Sequence, residues 1–444
     1  MAQTKSLLAN LPKRGYLAVG LFLRLVLAPF LSHPFDMRVF MAVGAAVSRG
    51  ITPYGQYTLQ HMFTETPHPH LYGAFPGIGY PPPWGLICGL MYLLSSAVAP
   101  NNLYAYVFAL KMPIILGELA TAVLVYNILK ARKDEGTASK AFLFFLFCPF
   151  IIATGTVWGM LDVLALFFAL LSIHTLYDNW KHSSVYLAVA SVLKVFPLTL
   201  APLYSLVLYK ATGNLKKAVL FLLSTIAFTS FLTFTPMVVF SWPVSNLQNA
   251  IVYHVTTTNP SYDGQAAFPY GAASPFNVLT LANYFAGQSF EPPLFFIYFW
   301  IPACIAVYAL FSKRSYPRDG GKENCGFMLV VQWSLLLMLT LFTTRVWVSE
   351  QNLVFLFGFF ALSVFLQNPQ EFGKVQLLWM FLSSFVVVHV PIIAFFWLPF
   401  PWTLNVASSF ADGPLGWTRL LCMTFLTFSW LALSWHYVVK KLRW

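Results

Sequence analysis

Of the chain's 444 residues, 58% are hydrophobic and only 9% are charged, with a mean hydropathy of +0.69; so few charges cannot cover a water-facing surface, which excludes a soluble globular domain. The formal net charge of +12 does not reflect nucleic-acid binding, because no run of Lys and Arg is dense enough to follow a phosphate backbone. Cys88, Cys148, Cys304, Cys325 and Cys422 are scattered, without a Cys-x-x-Cys pair or His at ligand spacing, so they point to neither a zinc site nor a disulfide framework.

A membrane-spanning helix needs about 20 apolar residues. Lys5, Lys13 and Arg14 precede the first apolar run, residues 16–32, and no small-x-small cleavage pattern follows Leu31, so a retained signal anchor is expected. Further apolar runs follow at 80–98, 103–129, 139–155, 162–177, 184–209, 218–240, 293–311, 325–343, 352–366, 376–400 and 416–438. The run at 184–209 contains Lys194 and Pro197, and proline interrupts a helix by steric clash and a missing donor, so this run reads as a broken up-and-down hairpin.

Basic residues near span ends mark the cytoplasmic side. The amino-terminal group puts the amino terminus in the cytoplasm and Asp36 outside. If the group Lys130, Arg132, Lys133 and Lys140 is cytoplasmic too, only one of the runs 80–98 and 103–129 crosses. The run at 80–98 opens on Pro81, Pro82 and Pro83, which suit a helix start, and is assigned to pack along or into the outer leaflet. Lys181, the groups at 210–217 and 313–322, Lys374 and the carboxy-terminal group are then all cytoplasmic, 19 of the 26 basic residues. The expected fold is a single all-α transmembrane domain over residues 1–444 with about twelve spanning helices.

Arg24, Arg38, Arg49, Lys111, Lys194, Arg345 and Arg419 fall within spans or outside, against the charge rule. The outer side carries a long first loop (33–102), a turn TGTVWGMLD, a second long loop (241–290) and a turn TTRVWVSEQN, whereas the inner connections are short and basic. Loops longer than a connection requires tend to be functional. Only 14 acidic residues exist, and Asp36, Asp162, Asp263 and Glu350 lie at outer ends of spans, where ionisable groups are candidates for function. Asp162 reads either as a helix cap or as a site residue. Lys111 and Glu118, two turns apart on one helix face, read as a buried structural pair. His68 and His70 read as a polar loop rather than a metal site; His254 sits among amide and aromatic residues, and Lys194 is either a snorkelling cation or a phosphate ligand.

The run FDMRVFMAVGAAVSRGITPYGQY followed by YPPPWGLICGL resembles the first outer loop of the polytopic GT-C glycosyltransferases that use polyprenyl-phosphate sugars, most closely the catalytic subunit of GPI mannosyltransferase I and its prokaryotic relatives. WGMLDVLALFFAL, LKVFPLTLAPLY, YHVTTTNPSYDGQAAFPYGAASPFN and TRVWVSEQNLVFLF are similar, in the same order, to later segments of that family. The resemblance covers most of the first 370 residues and implies a GT-C-like fold, non-crossing helices in the first outer loop, and Asp36 as the catalytic carboxylate. Relatives often carry Asp-x-Asp or Asp-x-Glu there; Asp36-Met37-Arg38 offers one carboxylate, so neither a metal nor another cofactor is expected.

The implied reaction moves a hexose, mannose by resemblance, from a polyprenyl-phosphate donor to a hydroxyl of a lipid-linked or glycan acceptor on the extracytoplasmic side, with inversion. Asp36 is the expected base. Arg345 and Lys194 are the first choices for the donor phosphate, with Arg38 and His254 behind them, and Asp162, Glu350, Gln351 and Trp158 complete the expected substrate site. The membrane would be the plasma membrane of a prokaryote or the endoplasmic reticulum of a eukaryote, with a small membrane subunit as a further expected partner. Two other readings fit the composition: a polyprenyl-lipid flippase or transporter, which requires charges spread through the membrane depth, and a noncatalytic subunit of a glycosylation complex.

Overall fold

The computed structural model describes residues 14–58, 74–256, 272–286, 294–314, 323–412 and 415–441. Apart from one short hairpin the described residues are helical, and the chain is a multi-span membrane protein. Helix α1 (Arg14–Leu27) leads into a short helix α2 (Asp36–Val47) and a two-stranded antiparallel hairpin, β1 (Gln56–Thr58) against β2 (Ala74–Pro76) with Tyr57 opposite Phe75. Helix α3 (Pro82–Val98) follows, then α4 (Leu103–Arg132) and α5 (Glu135–Leu146), which continues through Pro149–Ile152 into a π-helical turn at Ala153–Val157.

The next three helices are α6 (Asp162–Thr175), α7 (Trp180–Leu193) and α8 (Leu200–Thr212). The chain breaks between α7 and α8 at Lys194 and resumes as a 3-10 turn, Phe196–Thr199, which matches the break expected at Lys194 and Pro197. Then come α9 (Leu215–Val239), α10 (Val244–Thr256), α11 (Asn277–Ala286), α12 (Trp300–Lys313), α13 (Glu323–Thr344), α14 (Leu353–Gln367), α15 (Phe372–His389), α16 (Thr403–Asp412) and α17 (Gly416–Lys441). The apolar run expected at 376–400 is interrupted: α15 stops at His389, and Pro391 starts a separate 3-10 turn, Ile392–Phe396, because a proline disfavours helical backbone in the residue before it.

Among the described residues, eight helices are long and apolar enough to cross a bilayer, fewer than the twelve expected. Helices α6 and α7 have 14 residues each and α8 has 13, about 20 Å at 1.5 Å per residue, against a hydrocarbon thickness of about 30 Å. The shortfall has a place in the structure. Helix α6 begins at Asp162 and α7 ends at Lys194, and an ion pair of 3.0 Å joins these two residues, so both helices stop at the same level and leave room for a cavity beyond them.

The fate of α3 follows from one hydrogen bond. His33 N–H donates to Trp158 O at 3.0 Å, so the stretch after α1 and the turn after α5 meet at the same end of the bundle. An even number of crossings must separate them; α4 and the run 135–157 supply two, and α3 cannot be a third. Instead α3 packs on α2. Gly44 makes that approach possible, since a Cβ there would lie 2.6 Å from Cys88 O and 2.1 Å from the Tyr106 hydroxyl. Tyr106 donates to Met41 O at 3.0 Å, and Phe40 meets Trp84 edge to face at 5.4 Å. Every α2 residue from Met37 to Val47 except Arg38 is buried.

This topology is checked by accessibility. With the native cysteines removed, Ile51→Cys and Pro100→Cys, which flank α3, are expected to react with a membrane-impermeant thiol reagent from the same face. Labelling from opposite faces would make α3 a spanning helix.

Candidate functional site

The site is assembled from the chain breaks. After Pro149–Ile152 the helix widens into the π turn at Ala153–Val157, a distortion frequent at functional sites. Thr156 Oγ1 donates to both carboxylate oxygens of Glu118 at 3.0 Å, and a Cβ at Gly155 would lie 2.0 Å from Glu118 Oε1. Glu118 is paired in turn with Arg24 Nε; Arg24 also donates to Gly20 O at 3.0 Å and to Leu146 O at 2.9 Å. Both charged groups are fully enclosed.

This corrects the expected Lys111–Glu118 pair. Two turns of helix separate them by about 10 Å, and each finds a nearer partner: Lys111 Nζ donates to Leu31 O and, at 3.0 Å, to Val157 O. Lys111 thereby fastens the segment before His33 to the residue before Trp158.

The turn ends on Gly159, whose φ of +97° lies in the left-handed region, with Met37 Cε 2.3 Å from where a Cβ would sit; only glycine fits without rearrangement. The reversal aims Trp158 at the start of α2. Its indole stacks on the His33 ring at 4.2 Å, 4° from parallel, and its Nε1–H donates to Asp36 Oδ2 at 2.7 Å.

His33 Nδ1 accepts the backbone N–H of Phe35 at 3.3 Å and of Asp36 at 3.1 Å, which satisfies donors at the N-terminus of α2 that have no helical partner. An accepting Nδ1 means that the ring is neutral and protonated on Nε2. Burial pushes its pKa down to about 3, so the 3.2 Å approach of Nδ1 to Asp36 Oδ2 is not an ion pair. Asp36, first residue of α2, keeps its side chain a quarter exposed. Burial raises its pKa, opposed by the Trp158 hydrogen bond and by the charges of Lys194 and His389; a carboxylate shifted upward is a stronger base once ionised.

Asp36 opens onto a cavity of about 1050 Å³. Its wall combines polar residues, among them Tyr80, Lys194, Arg345, Glu350 and Gln351, with aromatic and aliphatic ones, among them Phe196, Leu198, Trp300, Tyr308 and Leu341. Arg345 lies just past the end of α13, where burial lowers its pKa to about 10, leaving it charged at neutral pH. Glu350 opens the 3-10 turn Glu350–Asn352 and pairs through Oε1 with His389 Nδ1; Arg419 holds that histidine by donating to its carbonyl at 2.8 Å.

Lys194 lies at the end of α7 and Asp162 at the start of α6, the helix ends that favour a cation and an anion respectively. The N-cap position of α6 is Leu161, which makes no side-chain capping bond; the Asp162 carboxylate faces Lys194. The ammonium also donates to the Tyr80 hydroxyl at 3.1 Å and lies 4.4 Å from the centre of that ring.

Of the residues expected from sequence, the cavity brings together Asp36, Trp158, Lys194, Arg345, Glu350 and Gln351. Asp162 stands behind Lys194. Arg38 turns away: its Nε donates to Pro34 O, its guanidinium lies 5.6 Å from the Trp397 ring centre, and it does not line the cavity. The side chain of His254 is outside the described residues, as are His68, His70 and Asp263, although Asn246 and Asn249 on α10, the helix of His254, do line the cavity. His33, Tyr80 and His389 are additional wall residues. The first had a legible signal, a histidine three residues ahead of Asp36; His389 had none.

Compared by sequence, the chain matches no protein family and no curated protein. Compared by fold, it is similar to the crystal structure of ArnT from Cupriavidus metallidurans bound to undecaprenyl phosphate, at 11% identity over 96% of this chain and 77% of that chain, with a TM-score of 0.47.

The buried network beneath Trp158 gives a stability prediction. Arg24→Leu leaves the Glu118 carboxylate enclosed without its cation and is expected to cost about 3–5 kcal/mol. Combining it with Glu118→Leu should recover part of that loss. Unfolding of the detergent-solubilised variants measures both, and purely additive losses would mean that the two residues are not coupled.

Proposed function

We propose that the chain is a membrane glycosyltransferase of the GT-C kind, transferring a hexose from a polyprenyl-phosphate donor to a hydroxyl acceptor. The observation that carries this reading is the composition of one cavity: a carboxylate of raised pKa, an arginine charged at neutral pH and a wall of aromatic and aliphatic side chains together face the same space. A lipid-linked sugar phosphate has matching parts: an apolar chain, an anion and an electrophilic carbon. The charge pattern of the loops supports an extracytoplasmic opening, and the likeness of the Asp36 segment to mannosyltransferases supports mannose as the sugar.

In the reaction the acceptor oxygen attacks the anomeric carbon while the bond from that carbon to the phosphate oxygen breaks. The electron pair leaves with the phosphate, and the hydroxyl proton passes to Asp36. With one carboxylate the displacement is single and inverts the anomeric centre. Trp158 and His33 hold Asp36 still; the indole N–H donates to Oδ2 of the carboxylate. Arg345 supplies a planar cation suited to phosphate oxygens, and stabilising the charge that grows there lowers the barrier. No metal is assigned a role, and the acceptor is taken to be lipid-linked or a glycan.

A transporter needs a polar path that continues from the cavity into the depth of the membrane. The deep charges of Arg24, Glu118 and Lys111 are enclosed and bonded to one another or to backbone carbonyls, and none lines the cavity, which argues for chemistry at one end.

Asp36→Asn is expected to slow transfer by about 10²–10⁴-fold, the usual worth of a general base, with donor binding nearly unchanged. Release of labelled lipid phosphate from polyprenyl-phosphate mannose, in the presence of a panel of lipid acceptors, measures it; an active variant removes Asp36 from this role.

The pH dependence has a definite sign. The base must be ionised, so the rate rises with pH through the raised pKa of Asp36. Trp158→Phe removes a hydrogen bond that lowers that pKa, so the acidic limb of the pH–rate profile should move to higher pH. A limb that stays in place, or moves down, would assign it to another group.

A further inference from the structure

The sequence gives Lys194 the look of a phosphate ligand, but the structure surrounds its charge. The ammonium is 5% exposed, lies 3.0 Å from Asp162 Oδ2 with that carboxylate 1% exposed, and donates to the Tyr80 hydroxyl at 3.1 Å. Its charge is already compensated by a buried carboxylate, and at the cavity wall, which Lys194 also lines, its neighbour is the Tyr80 phenol. Tyr80 lines the cavity, and its backbone is fixed from both sides: Tyr54 donates to Tyr80 O at 2.9 Å, and Pro81 begins the entry into α3.

A phenol oxygen that accepts from an ammonium has its own O–H polarised by that charge, which makes it a better donor to an anionic oxygen. Burial raises the Tyr80 pKa, with Lys194 opposing, so the hydroxyl keeps its proton at neutral pH. Asp36 and Tyr80 line the same cavity, so one donor molecule can meet both.

We infer that Tyr80 donates a hydrogen bond to the leaving phosphate of the lipid-linked donor, and that Lys194, neutralised by Asp162, acts through Tyr80 as a positioning residue. This rests on the glycosyl-transfer reading for its place in the reaction, but the contact itself is a claim about lipid-phosphate binding. In the donor the phosphate is a diester with one negative charge; in the product it is a monoester with more. Tyr80 should therefore favour the product and the transition state over the donor.

Tyr80→Phe tests this with little risk to the fold, because the ring that packs against the Lys194 ammonium is retained. In the purified full chain, this variant is expected to bind decaprenyl phosphate about 10-fold more weakly and decaprenyl-phosphate mannose less than about 3-fold more weakly, with kcat lower by about 10–100-fold, the range for a hydrogen bond to a charged group. Lys194→Met is made together with Asp162→Asn, so that no buried charge is stranded. Adding this pair to Tyr80→Phe should cause little further loss, whereas in the native background it should lower kcat nearly as much as Tyr80→Phe does.

Unchanged decaprenyl phosphate binding by Tyr80→Phe would overturn the contact, leaving the transfer reading intact if the native protein turns over. Losses that multiply would overturn the relay through Tyr80 and give Lys194 a direct role. A native protein that binds decaprenyl phosphate in a Tyr80-dependent way but transfers no sugar would support the contact and defeat the transfer reading. No binding of decaprenyl phosphate by the native protein would overturn the contact.

Discussion

The hydrogen bond from the Trp158 indole to Asp36 joins two parts of the chain that are 122 residues apart, and much of the structure serves to hold its two ends in register. On one side, His33 caps the helix that Asp36 begins and stacks against the indole. On the other, a π turn, a left-handed glycine and the Thr156–Glu118–Arg24 network fix where the indole points. Lys111 ties the two segments together by their carbonyls. In a medium where a bare charge costs kilocalories, each of these charged groups is bonded: Arg24 and Lys111 donate to carbonyl or carboxylate oxygens, and Glu118 accepts from Arg24 and Thr156. The breaks are needed, since an unbroken helix would carry Trp158 past Asp36.

The same logic accounts for the short helices. A spanning helix that ran its full length at α6 or α7 would fill the space in front of Asp36. By stopping at Asp162 and Lys194, and joining the stopped ends with an ion pair, the chain makes a polar floor without exposing unpaired charge to lipid. The cavity is lined both by charged residues, Arg345 and Glu350, and by aromatic ones, Trp300 and Tyr308. An amphiphilic substrate requires both: apolar side chains give a lipid chain a surface to follow, and the charged and ionisable groups serve the chemistry proposed.

Much of this was legible because lipid imposes simple rules on sequence. The position of basic residues required α3 not to cross, and the meeting of His33 with Trp158 bears that out. Pro197 marked the break after α7, and Asp36, Arg345 and Glu350 stood out as costly charges near the ends of apolar runs. What could not be read was partnership across distance. Helical periodicity put Lys111 and Glu118 on one face but could not show that Arg24, from another helix, reaches Glu118 first. Asp162 had the position of a cap, and only the fold brings Lys194 to it. Tyr80 and His389 were hidden because an aromatic or histidine in a chain this rich in aromatics carries no signal until its neighbours are known. The two long loops read from sequence as more than connections, but the burial of α2 and the return of residues 273–274 onto 346–348 depend on packing that no local pattern encodes.

The central claim is that one cavity aligns a sugar phosphate between Asp36 and Arg345. A cryo-EM structure of Asp36→Asn trapped with decaprenyl-phosphate mannose tests it most directly. The account predicts the phosphate within hydrogen-bonding distance of Arg345, the anomeric carbon facing residue 36, and the lipid chain leaving along Trp300, Tyr308 and Leu341. A phosphate bound outside this cavity, or a sugar turned away from residue 36, would contradict it.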